Sequence, residues 1–439
     1  MRTPLLNPDE FVQRRQRLAA MPELQNACLI LPANPEVIRN QDNPYNHRQE
    51  SNFFYATGFE EAGAIFVMRP GKDPESVLFV NEADAHSMVW TGFRFGTEGA
   101  VRDYKLDAAF SLDEFCEMMP QFLMDVEKVY YQFDINPGLD HDVLTVLKEN
   151  RRLRDRRNSG MLPIFEPMVV MGEQRLRKSP LEIQLMKESA EVASEAHIEV
   201  MKYIQPGMNE REIHGRFMFE IMKRGAAFEA YTPIVAGGAN GTVLHYKFND
   251  AVLNDGDMLL IDAGADYKFH ASDITRTYPI GKAFTETQKR VYQKVLDVQK
   301  QMCQAVKPGV TFKELYDRSA VMLTEVMVDE GLLKGSVQDL VDQGLHRRYY
   351  PHGLGHWLGL DVHDIGSMIV EGSPRKIEQG FCLTIEPGIY VPADDMEAPE
   401  ELRGLAIRIE DDLVVTADGN EIMTAKCPKD VDDLESLRR

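Results

Sequence analysis

Short apolar runs alternate with amphipathic stretches through the first part of the chain. ACLILPA (27–33), AIFVMRP (64–70), SVLFVNE (76–82) and KVYYQFD (128–134) have the length and residue types of strands, and LDEFCEMMPQFLMDV reads as helix. This alternation predicts an α/β domain. The charged passage ENRRLRDRRNSG (149–160) interrupts it and is predicted to be irregular. A second domain is expected to begin near residue 175, dividing the chain into 1–174 and 175–439.

That second domain opens on a well-signalled helix. Ser179 is placed to cap it, Pro180 falls at the first helical position, and Glu182 completes a capping box ahead of LEIQLMKESAEVASEAHIEVMKYI. Thr285 with Gln288 and Thr311 with Glu314 mark comparable starts. The segment IQPGMNEREI from Ile204 matches VKPGVTFKEL from Val306 at a constant offset of 102 residues. Each copy ends one helix with Pro-Gly and begins the next with a capping residue. Strand-like sequence follows both. The repeat predicts two related halves, each a helix pair followed by β-structure, packed about a pseudo-twofold axis with any site at their seam.

Acidic residues break the apolar pattern of those strands. Asp262 in MLLIDAG and Asp273 in SDITRTYPI belong to the first half; Glu386 in FCLTIEPGIY and Glu410 in LAIRIEDDLVV belong to the second. A buried, unpaired carboxylate costs several kcal/mol, comparable with the stability of a whole domain. Singly, each acid is explained by a turn or a solvated strand end. Four converging carboxylates would raise one another's pKa and drive the halves apart, so cations are expected among them. Two divalent ions would neutralise the four charges. Oxygen-rich ligands with an imidazole suit Mn²⁺ first, with Co²⁺, Zn²⁺ or Fe²⁺ as alternatives. Paired ions about 3.5 Å apart acidify a shared water and polarise a carbonyl, which is the chemistry of hydrolysis at an acyl carbon.

PHGLGHWLGLDVHD supplies His352, His356 and His363 between the two pairs of acids. Gly353 and Gly355 argue against a helical HExxH arrangement and for a loop passing close to something. At least one of these histidines is expected to bind metal, the others to donate to substrate or to a tetrahedral oxyanion. The chain has no GxSxG and no Walker loop, and GGANG (237–241) reads as a turn.

Composition narrows the partners. Seventy Asp and Glu against 49 Lys and Arg give a net charge of −21, which excludes nucleic acid and anionic membrane surfaces. No stretch approaches the run of about eighteen apolar residues that spans a membrane, and the N-terminal segment lacks a signal-peptide core, so a cytoplasmic location is expected. Five scattered cysteines, Cys28, Cys116, Cys303, Cys382 and Cys427, form no CxxC pair and indicate neither a disulfide framework nor a thiolate zinc site.

LLIDAGADYKFHASDITRTYP, HGLGHWLGLDVHD, TIEPGIY and IRIEDD, in this order, resemble the signature segments of the proline-specific pita-bread metallopeptidases. RQESNFFYATGFEE (48–61) resembles the domain that precedes them in that family, and length and arrangement are most similar to its bacterial aminopeptidase P branch. The resemblance implies an α/β (α+β) fold: an N-terminal creatinase/prolidase-type domain that gates substrate and mediates oligomerisation, then a pseudo-twofold pita-bread catalytic domain. It implies two divalent ions held by Asp262, Asp273, His356, Glu386 and Glu410, with Asp273 and Glu410 bridging them and a bridging hydroxide attacking the carbonyl before proline. Glu386 would shuttle the proton, and His245, His363 and Arg408 would assist catalysis. His352, Tyr390 and Arg408 would line the proline pocket, which Trp90 would help close. The expected substrates are peptides with proline second, and the expected assembly is a homo-oligomer, dimer or tetramer.

A proline dipeptidase of the same fold is the nearest alternative, separated by whether the far side of the pocket is blocked. Methionine aminopeptidases generally lack so large a leading domain, and creatine-hydrolysing relatives lack the full ligand set. Non-catalytic pita-bread modules that bind peptides or histones have lost metal ligands, whereas none is missing here.

Overall fold

The computed structural model describes residues 3–154 and 160–438, and its contacts divide the chain into two units, Met1–Gln174 and Arg175–Arg439. Among the described residues no helix is long and apolar enough to cross a membrane.

The N-terminal unit is built on a six-stranded mixed sheet. Its spatial order is Ala108–Ser111, Ser76–Val80, Ile65–Met68, Ala27–Pro32, Lys128–Tyr131 and Ile164–Phe165. The four strands that the apolar runs predict are its centre, and Ala27–Pro32, Ile65–Met68 and Ser76–Val80 are buried throughout. Ala108–Ser111, whose AAFS is half-buried and carries one strong strand former, and the two-residue Ile164–Phe165 add edges that the apolar pattern does not show. The passage 149–160 is a correction: the helix Pro137–Arg154 continues through its first six residues, and 155–159 lie outside the described residues. Glu, Arg, Lys and Leu are strong helix formers, and Leu147 and Asn150 face the core, so charge density there marks a solvated helix face.

The C-terminal unit contains the two helix pairs. Pro180–Tyr203 and Glu210–Lys223 form the first; Glu286–Ala305 and Phe312–Asp329 form the second. Ser179, Thr285 and Thr311 all cap as their spacing predicts, each in a complete capping box. The repeat extends into three dimensions. Asn209, the cap of one second helix, bridges to Val252, and Thr311, the cap of the other, bridges to Lys376. Gly207 N–H donates to the Leu253 carbonyl at 2.8 Å, and Gly309 N–H to that of Ile377 at 2.9 Å.

Each half then builds an antiparallel three-stranded sheet. In the first, Ile234–Gly237, Met258–Asp262 and Thr275–Pro279 lie side by side; in the second, Cys382–Ile385, Asp411–Val415 and Asn420–Ile422 do. The pair Gly388–Tyr390 and Ala406–Arg408 prolongs the second. One apolar core runs through both halves, from Leu176 to Leu434.

Candidate active site

All four predicted acids stand where one short strand gives way to the next. Asp262 ends Met258–Asp262, Asp273 falls between His270–Ala271 and Thr275–Pro279, Glu386 between Cys382–Ile385 and Gly388–Tyr390, and Glu410 between Ala406–Arg408 and Asp411–Val415. At such junctions the backbone leaves its ladder, and side chains from both sheets converge. Gly264 and Gly388, each two residues after an acid, allow the crossing: a Cβ would lie 1.7 Å from the Ser272 carbonyl oxygen at the first and 2.7 Å from that of Ile407 at the second. The seam is hydrogen-bonded. Thr275 Oγ1 donates to Glu410 Oε2 at 2.7 Å, Glu410 N–H to the Thr275 carbonyl at 3.1 Å, and Asp273 N–H to Asp412 Oδ2 at 3.0 Å.

The acids open into a cavity of about 480 Å³ whose walls include Asp262, Asp273, Glu386, Glu410, His245, His352, His356, His363 and Arg408. Asp273, His356 and Glu410 offer ligand atoms that all lie within 4.8 Å of one another. His356 Nε2 is 3.4 Å from Asp273 Oδ2 and 3.8 Å from Glu386 Oε1. Its Nδ1 is 3.0 Å from the Trp357 carbonyl oxygen, which only an N–H satisfies, so Nε2 carries the bare lone pair. The ring is therefore set in the tautomer a metal ligand needs. Gly355 keeps this loop close, since a Cβ there would sit 2.0 Å from the Thr384 carbonyl oxygen; at Gly353 the space is open.

Burial, then the charge of Asp262, pushes the Asp273 carboxyl well above the ordinary carboxylate range. Burial and Asp273 do the same to Glu410, and burial with Glu410 pushes Glu386 up to about 8. The cause is common: acids crowded together away from water with too little positive charge. Hard oxygen donors, one correctly oriented imidazole and a shortage of cationic charge together fit divalent metal.

Asp262 has found other company. Arg408 Nη2 donates to its Oδ2 at 2.6 Å, and the Tyr231 hydroxyl sits 2.5 Å from its Oδ1 while also meeting Asp273. Arg408 also donates through Nε to Thr275 Oγ1 at 3.1 Å. Tyr390, expected in the lining, is instead buried outside it, its hydroxyl joining Arg408 Nη1 at 2.9 Å to His352 Nε2 at 2.8 Å. With Nδ1 on the Gly353 carbonyl at 2.7 Å, both His352 nitrogens are engaged, and burial, then Arg408, holds the ring down at about 4. His363 packs edge-on to His356 at 4.2 Å between centroids. Neither His245 nor His363 makes a hydrogen bond among the described residues. Trp90 ends the helix Ala85–Trp90 of the N-terminal unit and is 76% exposed.

Sequence reasoning missed Tyr231, which lies in AYTPIV without a local signal of function. It also missed the buried pair behind Glu410. Arg276 Nη1 donates to the Glu410 carbonyl at 2.5 Å and Nη2 to Asp411 Oδ1 at 2.7 Å, fixing the strand that carries the acid.

Comparison with known proteins finds similarity along nearly all of the chain. Residues 11–130 match the family described as the aminopeptidase P N-terminal domain, and residues 184–417 match metallopeptidase family M24. The Xaa-Pro aminopeptidase of Haemophilus influenzae is 38% identical over 98% of this chain and 97% of its own. Among solved structures, Pseudomonas aeruginosa aminopeptidase PepP superposes with a TM-score of 0.94 at 37% identity, covering 99% of both chains. Escherichia coli aminopeptidase P with the inhibitor Pro-Leu superposes at 0.93 and 37% identity, over 99% of this chain and 98% of that one.

Proposed function

The chain belongs to metallopeptidase family M24, with an aminopeptidase P N-terminal domain ahead of the catalytic unit, and from that premise we propose that it hydrolyses the N-terminal Xaa-Pro bond of peptides in a metal-dependent reaction. The observation that carries this reading is the single cavity in which Asp273, His356 and Glu410 come within 4.8 Å of one another, with Asp262 and Glu386 beside them. These five residues would hold two divalent ions, Mn²⁺ before Co²⁺, Zn²⁺ or Fe²⁺ on donor type. Bound there, such ions supply a nucleophile by acidifying water near neutral pH and polarise the scissile carbonyl.

The protein's own groups do the rest. Glu386, beside the donor cluster, takes the proton of the attacking water and returns it to the proline nitrogen as the C–N bond breaks. His245 and His363 line the same cavity and donate to the carbonyl oxygen as it gains charge. His352, with both nitrogens occupied, offers the proline a ring surface instead of a donor. Arg408 orients Asp262. An Xaa-Pro amide has no N–H for a general peptidase to grip, so a shaped pocket must read the ring. The N-terminal unit would mediate assembly into a homo-oligomer; the location would be cytoplasmic and nucleic acid no partner.

Chelator-stripped protein assayed on a tripeptide Xaa-Pro-Yaa and a dipeptide Xaa-Pro, with and without Mn²⁺, tests the reading. Metal-dependent release of Xaa from the tripeptide is the expected result. Cleavage of the dipeptide alone would make it a dipeptidase, and no turnover with any divalent ion would overturn hydrolysis altogether.

A further inference from the structure

Glu210 is the first residue of the helix Glu210–Lys223 and is fully buried. A carboxylate in that position ordinarily has a cation beside it, and among the described residues none lies within ion-pair distance. Four hydrogen-bond donors surround it instead. Oε1 accepts from Gly237 N–H at 2.8 Å and Asn240 Nδ2 at 3.0 Å; Oε2 accepts from the Tyr246 hydroxyl and from Ala251 N–H, both at 2.9 Å. Its own N–H donates to the Ala251 carbonyl at 2.9 Å, and the helix N-terminus adds positive potential.

The four donors all belong to one excursion of the chain. Gly237 is where it leaves the strand Ile234–Gly237, Ala251 is where it returns to the helix cap, and Asn240 and Tyr246 are its interior. Leu244, His245 and Lys247 of this loop line the cavity. Tyr246, next to His245, turns inward to Glu210 with its side chain buried, so the neighbouring imidazole is presented outward to the cavity. Asn240 Nδ2 also reaches the Tyr246 hydroxyl at 3.1 Å, closing the network. A loop of this length would otherwise sample many conformations, and one anion satisfies both of its ends and its middle at once.

We propose that Glu210 is a positioning residue of the peptidase reaction, a buried carboxylate that pins the 237–251 loop so that His245 is held against the scissile carbonyl. The inference rests on the hydrolytic role given above to His245. Gln at this position keeps the shape, but its amide can accept at only one of the two ends and sets an NH₂ group against the Ala251 N–H.

The test has two readouts on the metal-loaded protein. Hydrogen exchange across 237–251 in Glu210→Gln should rise by about tenfold or more while the long helices keep their protection. Turnover of Xaa-Pro-Yaa should fall by about ten- to a hundredfold in kcat with KM little changed, as expected for a misplaced catalytic group. In a His245→Ala background the same substitution should cost less than about twofold, because the group it positions is gone. Tyr246→Phe removes one of the four bonds and should move exchange and kcat less far in the same direction, which carries the test if Glu210→Gln does not fold. Unchanged exchange in the loop, or an equal loss of turnover with and without His245, would overturn the proposal. Exchange needs no substrate, so an inactive wild-type protein would sink the hydrolytic reading while leaving the pinning of the loop separately decided.

Discussion

The two halves of the C-terminal unit share a frame and divide the chemistry unequally. Cap for cap and bridge for bridge they correspond: Asn209 with Thr311, Val252 with Lys376, Gly264 with Gly388, Asp262 with Glu386. Where they part, function enters. Glu210 in the first half answers to Phe312 in the second; the carboxylate pins the His245 loop, whereas the phenyl ring packs edge-on to Trp357, 4.7 Å between centroids, behind the loop that carries His356. Thr275 in the first half answers to Glu410 in the second, and the two touch across the seam at 2.7 Å. Duplicating a frame supplies two sets of strand junctions pointing at one place. Unequal substitution then makes that place asymmetric, with Asp273, His356 and Glu410 gathered within 4.8 Å of one another and His245 on another wall of the same cavity.

The comparison is broken most severely at Asp273, since no counterpart in the second half can stand in for it. Asp273→Ala should lower turnover by about a thousandfold or more and reduce bound metal, with the N-terminal unit still folded, as read by assay, elemental analysis and circular dichroism. An active, fully metallated variant would remove Asp273 from the site.

The paired glycines sharpen the comparison. At Gly264 an added Cβ meets a backbone carbonyl oxygen at 1.7 Å, and at Gly388 the corresponding distance is 2.7 Å. Gly264→Ala is expected to destabilise by about 4 kcal/mol or more and Gly388→Ala by about 2 kcal/mol, measured from denaturant midpoints. Equal costs would mean that the two crossings are equally tight.

The smallest effect separates His197 from Gln299, which stand at matching points of the two first helices, both buried. His197 Nε2 lies 2.9 Å from the Ala263 carbonyl oxygen, and burial holds its pKa down at about 4 from the ordinary 6.5. Between those values the unfolded chain binds a proton that the folded one refuses. Its contribution is therefore full above pH 6.5 and is lost as pH falls towards about 4, up to about 3 kcal/mol. His197→Gln, which copies the second half and keeps an N–H for the carbonyl, should flatten that part of the acid sensitivity in unfolding curves taken at pH 7 and pH 4.5. An unchanged acid slope would place the sensitivity elsewhere.

Much of this was legible in the sequence because it follows from short-range patterns. The capping boxes at Ser179, Thr285 and Thr311, the apolar central strands of the N-terminal unit, and the carboxylates set into strand-like runs all declare themselves within a few residues. What was hidden depends on partners far apart in the chain. Arg408 meets Asp262 across 146 residues, and the role of Tyr231 exists only once Asp262 and Asp273 have been brought together. Glu210 left one trace: it departs from the repeat exactly where its partner is aromatic, and a broken repeat says where to look without saying what for. The helix through Arg154 is concealed for the opposite reason, since dense charge suggests an irregular passage where it marks a helix face turned to water.

The seam bonds have a consequence in time. Glu410 is held by Thr275, Asp273 by Asp412, and the Glu410 carbonyl by Arg276, so each half of the site is finished by residues of the other. A chain emerging from the ribosome can complete its N-terminal unit and the first helix pair long before residues 408–412 exist. Until that short stretch arrives, the two acids of the first half have the Tyr231 hydroxyl between them but neither Arg408 nor Asp412. The site is thus completed only once residues 408–412 have been made, and a chain that stops short of them is a folded beginning without Glu410 to set beside Thr275 and Arg276.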